Sequence, residues 1–167
     1  MATENSTLTQ EYLHSLFDYK DGNLYWKNVS KFHNQLNKKI AGSLHHTGYV
    51  YIKIDNKKYS AHRLIFLYHH GYLPKMIDHI DKNSLNNNID NLREANRFQN
   101  QWNTSLTNKS ITKIKNVYWN KQLKKYSVQI NAKNKRYYFG CFNDIELAEL
   151  VAAEARNKYH KEFARHF

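Results

Sequence analysis

A histidine beside an aspartate, followed at short intervals by asparagines, lies mid-chain. The stretch reads Ile77-Asp78-His79-Ile80-Asp81, then Asn86-Asn87-Asn88, then Asp90-Asn91-Leu92-Arg93. These types suit phosphodiester hydrolysis. That reaction needs a base for the attacking water and a cation against the charge building on the phosphate and leaving oxygen. Imidazole titrates near neutrality and is a suitable base. Asp and Asn carry hard oxygen donors that suit Mg²⁺ or Mn²⁺. Downstream, Asn96, Asn100 and Asn103 fall at i, i+4 and i+7, on one face of a helix. A strand end carrying Asp78-His79 could face that helix. One carboxylate and one amide oxygen would then hold a cation and leave positions for water and phosphate. The competing reading is an Asn-rich capped loop, since asparagine favours turns. Composition alone divides the two evenly.

The flanking elements must hold these groups still. Thr7-Leu8-Thr9-Gln10 fits a capping box, with Gln10 reaching back to the Thr7 amide. Tyr12, Leu13, Leu16 and Phe17 follow at helical spacing, and Asp21-Gly22 ends that helix with a turn. Leu24 and Trp26 alternate as in a strand, and residues 27–40 are polar and irregular. Val50, Ile52 and Ile54 alternate with Tyr49, Tyr51 and Lys53, and the chain returns after Asp55-Asn56, which predicts a hairpin. Ala61, Leu64, Ile65 and Tyr68 then mark a helix that Gly71 ends. Arg63, near its start, is a candidate phosphate contact. His45-His46 and His69-His70 read as structural or solvent-facing, because adjacent residues on a helix diverge and chelate poorly. A helix is expected over about 93–102, with Phe98 and Trp102 as its apolar stripe.

The single cysteine, Cys141, excludes paired-cysteine zinc sites and disulfides within one chain. No apolar run approaches a membrane span and the start lacks the pattern of a signal peptide, so a cytoplasmic protein is expected. The formal net charge of +12 points to a polyanionic partner. Its distribution is more telling. Between Thr104 and Asn143 stand Lys109, Lys113, Lys115, Lys121, Lys124, Lys125, Lys133, Lys135 and Arg136, without one Asp or Glu. Tyr118, Trp119, Tyr126, Tyr137 and Tyr138 are interleaved with them. Cations neutralise phosphates, while aromatics stack or enter grooves. Three strands are expected, around 116–119, 126–131 and 136–139, with Asn134 turning the chain and Gly140 opening a bend. A helix capped by Asp144 follows, with Leu147, Ala148, Val151, Ala152, Ala155 and Tyr159 as its stripe. The plain alternative is a solvated lysine-rich sheet.

Two families resemble these segments. Val117-Tyr118-Trp119, Tyr126-Ser127-Val128-Gln129-Ile130, Lys135-Arg136-Tyr137-Tyr138-Phe139-Gly140-Cys141-Phe142 and Glu146-Leu147-Ala148-Glu149-Leu150-Val151-Ala152 are similar to the ethylene-response-factor-type DNA-binding domain. That resemblance implies a three-stranded antiparallel sheet packed on one helix and docked in the major groove. Asn116 replaces the family's glycine before the first strand. Asp78-His79-Ile80-Asp81, Asn86-Asn87-Asn88, Asp90-Asn91-Leu92-Arg93 and Asn100 resemble the HNH motif of phage and intron-encoded homing endonucleases, as do His62-Arg63-Leu64 and the Gly48-Tyr49-Val50 hairpin.

The second resemblance implies an α+β chain with an N-terminal ββα-metal (His-Me finger) nuclease domain. Its roles carry over to His79 as general base, Asp78 and Asn100 as ligands of one Mg²⁺ or Mn²⁺, and Asn91 as the residue that holds the loop and orients the histidine. Asn96 and Asn103 are rivals of Asn100. Asp81 is expected to tie the turn. Lys82 stands where the family has glycine, and Asn83 is expected to take the left-handed conformation instead. The expected domains are a tail at 1–6, the nuclease domain at 7–103, a linker at 104–112 and the DNA-binding domain at 113–167. Expected DNA contacts are Arg63, Arg93, Lys115, Tyr118, Trp119, Lys121, Lys124, Lys125, Lys133, Lys135, Arg136 and Tyr138. The expected activity is metal-dependent cleavage of double-stranded DNA at recognised sites, by a monomer or weak dimer, in the host cytoplasm if the gene is a phage's. The rivals are a DNA-binding regulator with an inactive site, an RNA-binding module and a ribosome-type structural protein.

Overall fold

The computed structural model describes residues 8–27, 39–103, 110–132 and 134–164. The tail at 1–6, Thr7, most of the irregular stretch after Trp26, the 104–109 part of the linker and Lys133 lie outside them. The chain is a mixed helix-and-strand protein with small sheets and, among the described residues, four α-helices. It divides into two compact units, Met1–Ala95 and Asn96–Phe167. Among the described residues no helix is long and apolar enough to cross a membrane.

The first unit opens with α1, Gln10–Leu16. Thr9 is its cap, with Oγ1 accepting from the Tyr12 amide at 3.2 Å. Gln10 Nε2 donates to Tyr68 O at 2.8 Å, and the Thr7 amide expected to meet its side chain lies outside the described residues. The helix stops at Leu16, earlier than its apolar spacing predicts. The next residues form β1, Phe17–Lys20, which pairs with β2, Asn23–Trp26, across the Asp21-Gly22 turn. Phe17 and Tyr19 face inward while Asp18 and Lys20 face water, so a period of two displaces the helical one. A second sheet, in the order β3-β4-β5, comprises Ser43–Leu44, Val50–Ile54 and Lys57–Ser60. Asp55 and Asn56 turn the β4–β5 hairpin with φ of +47° and +64°. Helix α2, Ala61–His70, ends at Gly71, whose φ of +73° lets its N–H reach Leu67 O. Leu13, Phe17, Leu24, Ile52, Leu64 and Ile65 are fully buried and join these elements in one core.

A third, two-stranded sheet carries the candidate chemistry. Strands β6, Ile77–His79, and β7, Leu92–Glu94, run antiparallel, with Asp78 opposite Arg93 and His79 opposite Leu92. The helix expected from residue 93 is therefore a strand at that point. Leu92 is buried and Arg93 turns to the facing carboxylate, so cross-strand pairing decides the conformation.

The second unit begins with α3, Arg97–Trp102, closed by a full capping box between Asn96 and Gln99. Strands β8, Val117–Asn120, β9, Lys125–Ala132, and β10, Lys135–Phe142, form an antiparallel sheet in the order β10-β9-β8. Asn116 enters β8 with φ +69°, a conformation asparagine tolerates. Strand β10 runs through Gly140 rather than ending before it, and a bulge between Tyr138 and Gly140 absorbs the bend. Asp144 caps α4, Ile145–His160, through the amides of Glu146 and Leu147. Ala148, Ala152 and Ala155 form its buried stripe. Leu147, expected on that stripe, is 48% exposed. Small side chains let the helix lie close on Val117, Val128 and Ile130, and Leu147 falls to one side.

Candidate active site

The loop after β6 is held by its own side chains. Lys82 N–H closes a turn onto His79 O at 3.0 Å. Asp81 Oδ1 accepts from the Asn83 amide at 2.8 Å and from Asn91 Nδ2 at 2.9 Å, and Oδ2 accepts from Asn86 Nδ2 at 2.7 Å. Desolvation pushes the Asp81 carboxyl up, but these bonds and the nearby His79 together hold it below the usual carboxylate range. Asp81 thus ties the turn. Buried Asn91 also donates to Asn86 O at 2.7 Å and accepts from the Asp81 amide at 3.0 Å, clamping both ends of the loop. The left-handed residue is Lys82 itself, with φ +68°, and not Asn83.

The N-terminal hairpin braces this loop from outside. Tyr19 Oη accepts the Ile89 amide at 3.0 Å. A Cβ added at Gly22 would stand 2.8 Å from the Asn88 nitrogen, so only glycine lets the β1–β2 turn approach so closely. Ser84 Oγ donates to Gly48 O at 2.6 Å, tying the loop to the β3–β4 connection.

His79 and Asp78 are both buried at the strand end. The His79 ring meets Asn87, itself buried, with Nε2 3.0 Å from Oδ1. His62 lies edge-on to it at 5.2 Å between ring centres. Burial first, and then electrostatic repulsion from the His79 ring and Arg63, pushes the His62 pKa down to about 4. At neutral pH His62 is therefore an uncharged packing partner. Arg63 donates to Pro74 O at 3.2 Å and reaches Lys75 O at 3.5 Å, so it braces the approach to β6. Asp78 carries two cationic partners. Lys82 Nζ stands 2.7 Å from Oδ1, while Arg93 Nε and Nη2 stand 3.1 and 3.0 Å from Oδ2. Among the described residues, no group of three or more His, Cys, Asp and Glu could hold a metal ion. The expected set of one carboxylate and one carboxamide is of another kind.

The family model for HNH endonucleases matches residues 59–102, from β5 through α3. Protein 3.8 of Escherichia phage T7 is 34% identical over 99 residues, which span 57% of this chain and 79% of that protein. The chain belongs to the family of that phage protein. It carries an HNH endonuclease domain, which points to endonuclease action on nucleic acid. No solved structure matches.

Within the HNH domain, Asp78, His79, Asn91 and Arg93 come together around the β6–β7 sheet and its loop. Asn100 lies on α3, which is counted with the second unit, and its amide bonds to Asn96 O at 3.0 Å. Its two rivals are helix ends: Asn96 is the N-cap and buried Asn103 the C-cap. Asn87 was legible only as one of three consecutive asparagines. Asn86 and Asn88 bond to local turns, whereas Asn87 is buried on the histidine. Burial separates them, and no local sequence signal does.

The expected nucleic-acid contacts divide by strand parity. Tyr118, Arg136 and Tyr138 share the face opposite α4 with Ser127, Gln129 and Asn131. Tyr118 and Tyr138 are exposed there. Lys125 stands at the start of β9 on that face, Lys121 and Lys124 lie in the β8–β9 turn, and Lys135 opens β10. Trp119 instead pairs in register with Tyr126, on the helix side. Lys115 Nζ donates to Trp102 O, and its carbonyl accepts from buried Arg156. Lys133 lies outside the described residues.

Proposed function

We propose that this protein is a metal-dependent DNA endonuclease of the ββα-metal type, with its centre built on β6 and β7. The observation that carries the reading is the buried His79 ring, fixed by Asn87 at the end of the strand that also carries buried Asp78, inside the segment matched to HNH endonucleases. With the Nε2 proton donated to Asn87, the lone pair of the neutral ring falls on Nδ1. There it takes a proton from water as the water oxygen bonds to phosphorus. The phosphorus bond to the 3′ oxygen breaks, giving 5′-phosphate and 3′-hydroxyl ends. Asn91 keeps the loop, and so the histidine, in place.

Asp78 would hold a divalent cation, Mg²⁺ or Mn²⁺. The carboxylate suits one, since it is buried and already draws two cationic side chains. When bound, that ion supplies neutralisation of the charge developing on the phosphate and leaving oxygens. In the second unit, the face of Tyr118, Arg136 and Tyr138 would bind duplex DNA, as in an ethylene-response-factor-type domain. Lysines at the strand ends would supply salt-dependent affinity.

A second reading is a DNA-binding regulator with a silent HNH site. The two cations on Asp78 favour it, because an occupied carboxylate is a poorer metal ligand. Cleavage of a random-site duplex library with Mg²⁺ or Mn²⁺, followed by sequencing of ligatable ends, separates the two. Enriched sites with 5′-phosphate ends support the nuclease. An uncut library that is nevertheless bound supports the regulator.

A further inference from the structure

The two cations on Asp78 are held differently. Arg93 faces Asp78 in strand register and grips Oδ2 through Nε and Nη2. Lys82 reaches Oδ1 through a single ammonium at the end of a flexible four-carbon stem. That side chain keeps 21% of its surface in water, against 17% for Arg93 and 1% for Asp78, so the flexible stem and not exposure sets it apart from the arginine. The lysine therefore has a path outward that the aspartate lacks. Its backbone sits at φ +68°, where glycine is relaxed and lysine is not. The loop holds an unfavourable conformation at the residue whose side chain folds back on the carboxylate.

We infer that Lys82 is a built-in rival of the divalent cation: its ammonium stands on Asp78 Oδ1 and must swing aside for a metal ion to bind there. The inference rests on the reading of Asp78 as a metal ligand. It makes Lys82 a residue that sets the metal concentration at which the site is loaded, while Arg93 stays as the permanent counter-charge of Oδ2. The two compete for Oδ1, because an ammonium 2.7 Å away takes one of its lone pairs and repels a second cation on the same oxygen.

The test is calorimetric titration of Mn²⁺ into the full chain, without DNA, for wild type, Lys82→Met, Lys82→Arg and Asp78→Asn. Removing a charge-assisted bond to the ligand oxygen should tighten Mn²⁺ binding by about tenfold or more in Lys82→Met. Lys82→Arg should stay within about threefold of wild type, since the rival charge remains. Lys82→Gly removes the ammonium and suits φ +68°, so it should show the same gain should the Met variant fold poorly. The Mn²⁺-induced rise in melting temperature should be larger in Lys82→Met than in wild type. Unchanged or weaker Mn²⁺ binding in both Lys82→Met and Lys82→Gly, with binding lost in Asp78→Asn, overturns the inference alone. Wild-type Mn²⁺ binding in Asp78→Asn overturns the metal-ligand reading and the inference with it.

Discussion

The Nε2 atom of His79 stands 3.0 Å from Oδ1 of Asn87, and both residues are buried. A base held in this way presents one fixed nitrogen to its substrate, because the bonded nitrogen is committed as donor. Replacing Asn87 by Ala should leave the fold and KM near wild type. It should lower kcat by about ten- to a hundredfold, as the ring loses tautomer and orientation. Steady-state cleavage of a defined duplex checks this, and a KM change with unchanged kcat would contradict it.

Gly22 governs the same loop from the N-terminal hairpin. Ala at that position would meet the Asn88 nitrogen at 2.8 Å and keep a strained φ of +76°. Gly22→Ala should cost about 1–3 kcal/mol in urea unfolding and depress cleavage through the displaced loop. Wild-type stability would show that the hairpin does not brace the loop.

His62 makes stability acid-sensitive. Its pKa falls from the ordinary 6.5 to about 4 on folding, so between these values the unfolded chain binds more protons than the folded one. Stability from this residue is therefore complete above pH about 6.5 and declines as pH falls towards 4, by at most about 3 kcal/mol. His62→Phe should flatten that limb in denaturation series run from pH 7 to 4. An equally steep limb in the variant would place the acid sensitivity elsewhere.

The strand register separates two tests of the second unit. Arg136→Ala should weaken duplex binding and lower the slope of log K against log salt by about one. Tyr138→Ala should weaken binding at every salt concentration. Trp119→Ala, on the helix side beside Tyr126, should lower stability and leave duplex affinity within about twofold of wild type. Loss of affinity in Trp119→Ala with no change in Arg136→Ala would reverse the assignment of faces.

The residues explain what was legible beforehand. The β4–β5 hairpin and α2 follow from alternation at Val50, Ile52 and Ile54, the turn at Asp55-Asn56 and the stop at Gly71, all of them local signals. Asp78 and His79 stand together at a strand end, in the order the motif suggests. Among the strands that were hidden, β1 and β7 bear on the site. Phe17 fits a helical stripe as well as a strand, and only its pairing with Trp26 decides. Leu92–Glu94 reads as helix until Arg93 finds Asp78 across the sheet. The partners of Asp78 and His79 were equally out of reach. Lys82 folds back through a left-handed backbone, and Asn87 arrives from within a run of three identical residues. Both depend on tertiary placement.

The central claim is that His79 activates water for DNA hydrolysis. Supercoiled plasmid incubated with the full chain and Mg²⁺ or Mn²⁺, beside His79→Ala at equal concentration, tests it most directly. The wild type should convert the plasmid to nicked or linear product, and the variant should be slower by about a hundred- to ten-thousandfold. Equal conversion by the two proteins would contradict the account.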